Sequence, residues 1–124
     1  MIGLLMMNTG TPDAPTTEAI RPYLRQFLSD RRIVNCPPII WKPILEHIVL
    51  RRPEKTVANY QAFWTPEGSP FMRVCKEQAQ ILQELLDASE AEGAVVETEG
   101  VKVVLAMRYG NPSIASGLAQ LAEA

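Results

Sequence analysis

Apolar and polar positions along the chain change period several times, and each change marks an element. Ile2-Gly3-Leu4-Leu5-Met6-Met7 is an almost unbroken apolar run, the pattern of a strand buried on both faces of a parallel sheet. It runs into Asn8-Thr9-Gly10-Thr11-Pro12-Asp13, a dense turn signal that predicts a loop. Ile20, Tyr23, Leu24, Phe27 and Leu28 then recur at helical spacing and define one face of an amphipathic helix. Pro22 is comfortable only in a first turn, so the regular helix is expected to start near Ile20, after a looser turn.

Prolines at 37, 38, 43, 53 and 66 cut the next stretch into short pieces, among them the apolar Ile39-Ile40-Trp41-Lys42-Pro43-Ile44-Leu45. The signal clears at Ser69-Pro70, an N-cap followed by proline at the first helical position. The helix behind it is expected to bury Phe71, Val74, Cys75, Ile81, Leu82, Leu85 and Leu86, and to fray through the acidic 87–92 segment. Residues 101–107 read as a second strand that ends in the loop signal Arg108-Tyr109-Gly110-Asn111-Pro112. Ser113 then caps a last helix carrying Ile114, Leu118 and Leu121. Strand, helix, irregular segment, helix, strand, helix is the order of an α/β fold, a Rossmann-like open parallel sheet with flanking helices. Two strands make a small sheet, so residues 1–124 are expected to form the opening part of a larger fold.

Composition narrows the function classes. A length of 124 residues is one domain's worth of chain. The apolar fraction of 47% and charged fraction of 21% are those of a globular protein rather than a disordered one. A net charge of −2 removes the basic footprint of a nucleic-acid binder. No apolar run is long enough to span a bilayer, and Met1-Ile2-Gly3-Leu4-Leu5 lacks the cationic start of a secretory signal, so a cytoplasmic protein is expected. Cys36 and Cys75 have no second Cys or His at ligand spacing, so no metal site and no bound cofactor are expected, and both read as ordinary thiols. His47 is the sole histidine and reads as structural.

Ligands of open α/β sheets bind outside the carboxyl ends of the strands, which here points to 8–13 and 108–113. Neither segment carries G-x-G-x-x-G or G-x-x-x-x-G-K-[ST], which excludes a dinucleotide or P-loop reading on the residues. The chain offers an anion-tolerant crevice beside apolar walls, with Arg52 and Arg108 as partners for carboxylates and Tyr60, Ser69 and Tyr109 as neutral donors. Each also has a structural reading. Arg51-Arg52 suits a solvated pair, Ser69 is accounted for as a cap, and Tyr60 and Trp64 suit one packed helix face. Arg108 is the hardest to dismiss, because a charge directly after a buried strand must find a partner or water.

The order of the motifs adds to this. Leu5-Met6-Met7-Asn8-Thr9-Gly10-Thr11-Pro12, Tyr23-Leu24-Arg25-Gln26-Phe27-Leu28-Ser29-Asp30, Arg51-Arg52-Pro53, Tyr60, Trp64-Thr65-Pro66-Glu67-Gly68-Ser69-Pro70 and Met107-Arg108-Tyr109-Gly110-Asn111-Pro112 closely resemble the N-terminal part of the ferrochelatases, over nearly the whole chain. The resemblance implies a chelatase-like fold of two similar halves with a porphyrin in the cleft between them, and insertion of Fe²⁺ into protoporphyrin or coproporphyrin in haem synthesis. It implies that Arg52, Tyr60 and Ser69 hold porphyrin propionates, that Arg108 lines the macrocycle pocket, and that Thr9 meets the metal face of the ring. Thr9 stands where family members carry Leu, Met or Tyr, which leaves the substrate form open. It further implies that 33–50 forms an apolar lip around the pocket mouth, in some members resting on a membrane. The family's catalytic histidine and its acidic partner lie in the second half, so no catalytic residue is expected in this chain and His47 does not replace them. Two other readings stand beside this one: a porphyrin- or haem-binding module without catalysis, and a piece that self-associates through its open sheet edge.

Overall fold

The computed structural model describes residues 1–92 and 100–124. Its elements run β1 (Ile2–Thr11), α1 (Thr17–Leu28), α2 (Pro38–Ile44) continuing into a π-helical turn (Leu45–Val49), α3 (Glu54–Phe63), α4 (Pro70–Ala91), β2 (Val101–Gly110) and α5 (Ile114–Glu123). They group into two compact units, Met1–Gly10 with Phe71–Ala124, and Thr11–Pro70.

The first unit holds the sheet. The Ile2 N–H donates to the Gly100 carbonyl at 2.9 Å, and at the far end Gly10 lies against the Tyr109 carbonyl. The strands therefore run parallel, as the α/β order predicts, in a two-stranded sheet. Because the Gly100 carbonyl faces β1, alternation turns the backbone groups of Val101 and Val103 to the outer edge of β2. The side-chain amide of Gln83, on α4, meets them there. Its Nε2 donates to the Val101 carbonyl and its Oε1 accepts from the Val103 N–H, both at 2.7 Å. One amide thus stands where the peptide group of a further parallel strand would stand. Asp87, one turn on, accepts from the same Nε2 at 2.8 Å and fixes the orientation of the amide. Further along this edge, the Met107 N–H donates to the Pro112 carbonyl at 2.6 Å.

Helix α5 lies on β2. Ser113 caps it, accepting from the Ser116 N–H at 3.1 Å, as the sequence predicts. Gly117 sits so close to the sheet that a Cβ there would meet Leu5 Cδ1 at 2.7 Å and Ala106 Cβ at 3.2 Å. Val104, Ala106, Met107, Tyr109 and Cys75 are the buried hydrophobic residues of this unit among those described.

The second unit is helical. Thr16 Oγ1 accepts from the Ala19 N–H at 3.3 Å, so α1 starts at Thr17 rather than near Ile20. Pro22 lies inside it, where the missing N–H leaves one carbonyl of the first turn without its helical donor. The proline-broken stretch is pinned to α1 by side chains that reach backbone carbonyls. Trp41 Nε1–H donates to the Leu28 carbonyl at 2.8 Å. The Arg21 guanidinium donates to the carbonyls of Leu50 at 2.9 Å and Arg51 at 3.0 Å. Ile20, Tyr23, Leu45, Leu50 and Val57 are buried.

Several expectations are corrected. Both strands extend through their turn signals, β1 to Thr11 and β2 to Gly110, because ladder pairing outweighs local composition when Gly10 and Gly110 supply positive φ at the strand ends. β1 is not buried on both faces, for Ile2 and Met7 are exposed, the sheet having only β2 beside β1 among the described residues. Helix α4 runs on to Ala91 instead of fraying from Asp87, the Gln83–Asp87 hydrogen bond supporting that turn. Val74, Ile81 and Leu85 on it are exposed. Trp64 lies beyond α3 in extended conformation, so it shares no helix face with Tyr60.

Replacing Gln83 tests the edge arrangement. Gln83→Leu leaves the Val101 carbonyl and Val103 N–H without their partner and is expected to lower stability by about 1–2 kcal/mol, read from urea unfolding. Gln83→Glu, although isosteric, is expected to cost as much, since a carboxylate cannot donate to the Val101 carbonyl and faces Asp87 with like charge. Wild-type stability in Gln83→Glu refutes the arrangement.

Candidate functional site

The helical unit carries Arg52, Tyr60 and Ser69. Arg52 is exposed in the short link between the π-helical turn and α3. The Arg21 guanidinium, by holding the Leu50 and Arg51 carbonyls, fixes the backbone from which Arg52 projects. Tyr60 is half-buried on α3, its ring tilted against Phe63 at a centroid distance of 5.3 Å. Burial pushes its phenol above the ordinary tyrosine range, and a hydrogen bond with Tyr23 acts in the opposite direction. At neutral pH the group is therefore a neutral donor and acceptor. Ser69 is 1% exposed and immediately precedes the helical Pro70, where the sequence predicts a cap. The turn before it is closed twice, by the Gly68 N–H to the Thr65 carbonyl at 2.9 Å and the Thr65 N–H to the Gly68 carbonyl at 3.1 Å. Thr65 Oγ1 adds a bond to the Gly68 carbonyl at 2.7 Å.

The sheet unit carries Thr9, Arg108 and Tyr109, all on the C-terminal ends of the parallel strands rather than in the loops that the sequence predicts. Thr9 is exposed, and its N–H donates to Asn8 Oδ1 at 2.8 Å. Asn8 Nδ2 donates in turn to the buried Cys75 Sγ at 3.4 Å, which ties this end of β1 to α4. Tyr109 is buried, and the exposed Arg108 places its guanidinium carbon 5.0 Å from the Tyr109 ring centroid, a cation–π contact. The pairing of β1 with β2 brings these three together at one end of the sheet.

Sequence reasoning missed Arg21 and Tyr23 as supports. Arg21 gave no local signal, because its partners are carbonyls about thirty positions away. Tyr23 fitted the apolar face of α1 and so read as core alone. It also missed Arg25–Glu46, in which Arg25 Nε donates to Glu46 Oε1 at 2.9 Å. That hydrogen bond, with the adjoining charge, holds the Glu46 carboxyl below its usual range. Both cysteines are free. Among the described residues no cluster of His, Cys, Asp and Glu could hold a metal ion, and no helix is long and apolar enough to cross a membrane.

Chemically, each unit carries an exposed guanidinium and a phenol, in the sheet unit in direct cation–π contact, and these are donor types suited to carboxylate groups. The ferrochelatase family model matches residues 1–124. The chain is 46% identical over 98% of its length to a ferrochelatase of Shewanella denitrificans, 48% over 97% to ferrochelatase 2 of Shewanella oneidensis, and 51% over 95% to a ferrochelatase of a Polaromonas species. It spans only about a third of the length of these curated relatives, 36%, 35% and 30% respectively.

The strand end is tested at Gly10, which has φ +131° and has the Tyr109 carbonyl where a Cβ would stand. Gly10→Ala is expected to destabilise the chain by about 3 kcal/mol through strain and the displaced carbonyl, while Gly68→Ala, with open space around its Cβ position, costs only its backbone strain. Urea unfolding of both variants checks the order, and equal losses refute it.

Proposed function

The chain belongs to the ferrochelatase family, and we propose that it contributes the porphyrin-holding wall of an enzyme that inserts Fe²⁺ into a porphyrin in haem biosynthesis. The observation that carries this reading is the family match over residues 1–124, which includes every candidate residue. A porphyrin is a flat apolar disc with acidic edges, so it needs apolar walls with Arg and hydroxyl donors at the rim. In this reading Arg52 and Tyr60 are propionate partners. Arg108 and Thr9 are macrocycle contacts, and the buried Tyr109 holds the Arg108 guanidinium through its ring face. Ser69, being buried, serves by fixing the turn into α4 and presents its hydroxyl to a propionate only at close approach.

Insertion requires two pyrrole N–H protons to leave as iron arrives, and holding the periphery tightly offsets the strain of bending the ring toward that state. The proton acceptor is not among these residues. His47, the sole histidine, lies exposed in the π-helical turn of the lip. The chain by itself therefore binds porphyrin without metalating it. A porphyrin carrier is the second reading, favoured by the same lone histidine.

Fluorescence titration of Trp41 and Trp64 with coproporphyrin and protoporphyrin tests binding. Saturable quenching is expected, about tenfold weaker in Arg52→Ala, the loss of one charged hydrogen bond. Unchanged affinity in Arg52→Ala, or no saturation by a folded chain, overturns the assignment. Anaerobic incubation with Fe²⁺ and porphyrin is expected to give only the uncatalysed rate.

The lip supplies a further contact. Ile39 is 89% and Ile48 70% exposed, with Ile40 and Ile44 also open and Lys42 and His47 beside them. A short apolar face with a lysine alongside lies in a membrane interface rather than across it. The chain is expected to co-sediment with anionic lipid vesicles, and Ile39→Ser with Ile48→Ser to release it. Retention of the double variant refutes membrane contact through this face.

A further inference from the structure

A hollow lies within the helical unit, behind the exposed isoleucines of the lip and without Arg52, Tyr60 or Ser69 in its lining. It measures about 270 Å³, opens to solvent, and is lined by α1, the 30–37 turn, α2 and the start of the π-helical turn. Its floor is apolar: Leu45 is buried and the Trp41 indole forms one wall. The Trp41 N–H is already committed to the Leu28 carbonyl at 2.8 Å. The ring is thereby fixed, and it offers the hollow carbon surface rather than a donor.

The charges around the hollow are unequal. Arg25, Arg31 and Lys42 line it against a single carboxylate, Glu46. Glu46 is already engaged by Arg25 through both oxygens, at 2.9 and 3.4 Å. That pair cancels, and Arg31 and Lys42, both exposed, remain as surplus positive charge over an apolar floor. An apolar group laid on the Trp41–Leu45 floor gains by leaving water, while the two cations select for negative charge at the mouth. A volume just under the roughly 300 Å³ lower bound of drug-sized pockets limits the occupant to about ten non-hydrogen atoms.

We propose that this hollow binds a small organic anion, a carboxylate on a short apolar body, with the body against Trp41 and Leu45 and the carboxylate between Arg31 and Lys42. The ligand holds the 30–37 turn to α2 and so stiffens the segment that carries the exposed lip.

Octanoate is a suitable probe, with octanol and octylammonium as controls of equal chain length. Calorimetric titration of the 124-residue chain is expected to show saturable octanoate binding at least about tenfold tighter than octanol, with no binding of octylammonium. Arg31→Gln with Lys42→Gln is expected to bring octanoate down to the octanol level. Arg52→Ala is expected to leave it unchanged, which separates this site from the porphyrin edge. Equal binding of octanol or octylammonium, unchanged octanoate affinity in the double variant, loss of binding in Arg52→Ala, or no saturation by a chain that circular dichroism shows folded each overturns the proposal.

Discussion

The Gln83 amide is the interaction on which the sheet unit depends. A two-stranded parallel sheet has two outer edges, and every unpaired backbone group there must find water or a partner. By bonding both Val101 and Val103, Gln83 covers the outer edge of β2 near its start, and the Pro112 carbonyl covers it again at Met107. With that side satisfied, β2 has one face left for pairing and its register with β1 is set. The register in turn decides which residues reach the end of the sheet together. Thr9, Arg108 and Tyr109 meet because Ile2 starts opposite Gly100 and Gly10 ends against Tyr109. A slip of one residue would turn each side chain to the opposite face.

The helical unit solves a different problem. Prolines remove donors and break regular structure, so the stretch from Pro37 to Pro66 cannot be held by a continuous helix or a ladder. Long side chains replace them. Arg21 and Trp41 donate to carbonyls left free at the ends of neighbouring elements, which are the groups a helix C-terminus cannot satisfy internally. Because these pins act on backbone, they fix the link carrying Arg52 without touching its side chain, which stays exposed.

These two solutions also mark what the sequence could and could not reveal. Hydrophobic periodicity located β1, α1, α4, β2 and α5, and the Ser113 cap was readable because capping is a local interaction. The strand ends were misread, since Asn8-Thr9-Gly10 and Arg108-Tyr109-Gly110 have the composition of turns and only pairing with a distant strand keeps them extended. Burial along α4 was misread for a related reason: the apolar spacing of Val74, Ile81 and Leu85 is helical, yet nothing in it says whether a partner covers that face. The candidate residues themselves were legible by chemical type, but their supports were not. Tyr23 beneath Tyr60 and Arg21 behind Arg52 act through contacts far apart in the chain.

The arrangement of donors follows from the cost of burying charge. A guanidinium removed from water loses far more than a neutral hydroxyl does, and the chain divides its donors accordingly. Arg52 and Arg108 are exposed, whereas Tyr60 is half-buried and Tyr109 buried. Burial raises the Tyr60 phenol further from ionisation, so the group closer to the protein interior remains neutral where an acidic ligand edge would approach. An ionised phenol there would repel a carboxylate. The upward shift also means that the stability it contributes is complete below the ordinary tyrosine range and is lost as pH rises beyond that range through the higher folded-state value. The Arg108 guanidinium over the Tyr109 ring extends the same logic, because the ring face stabilises the cation without neutralising it.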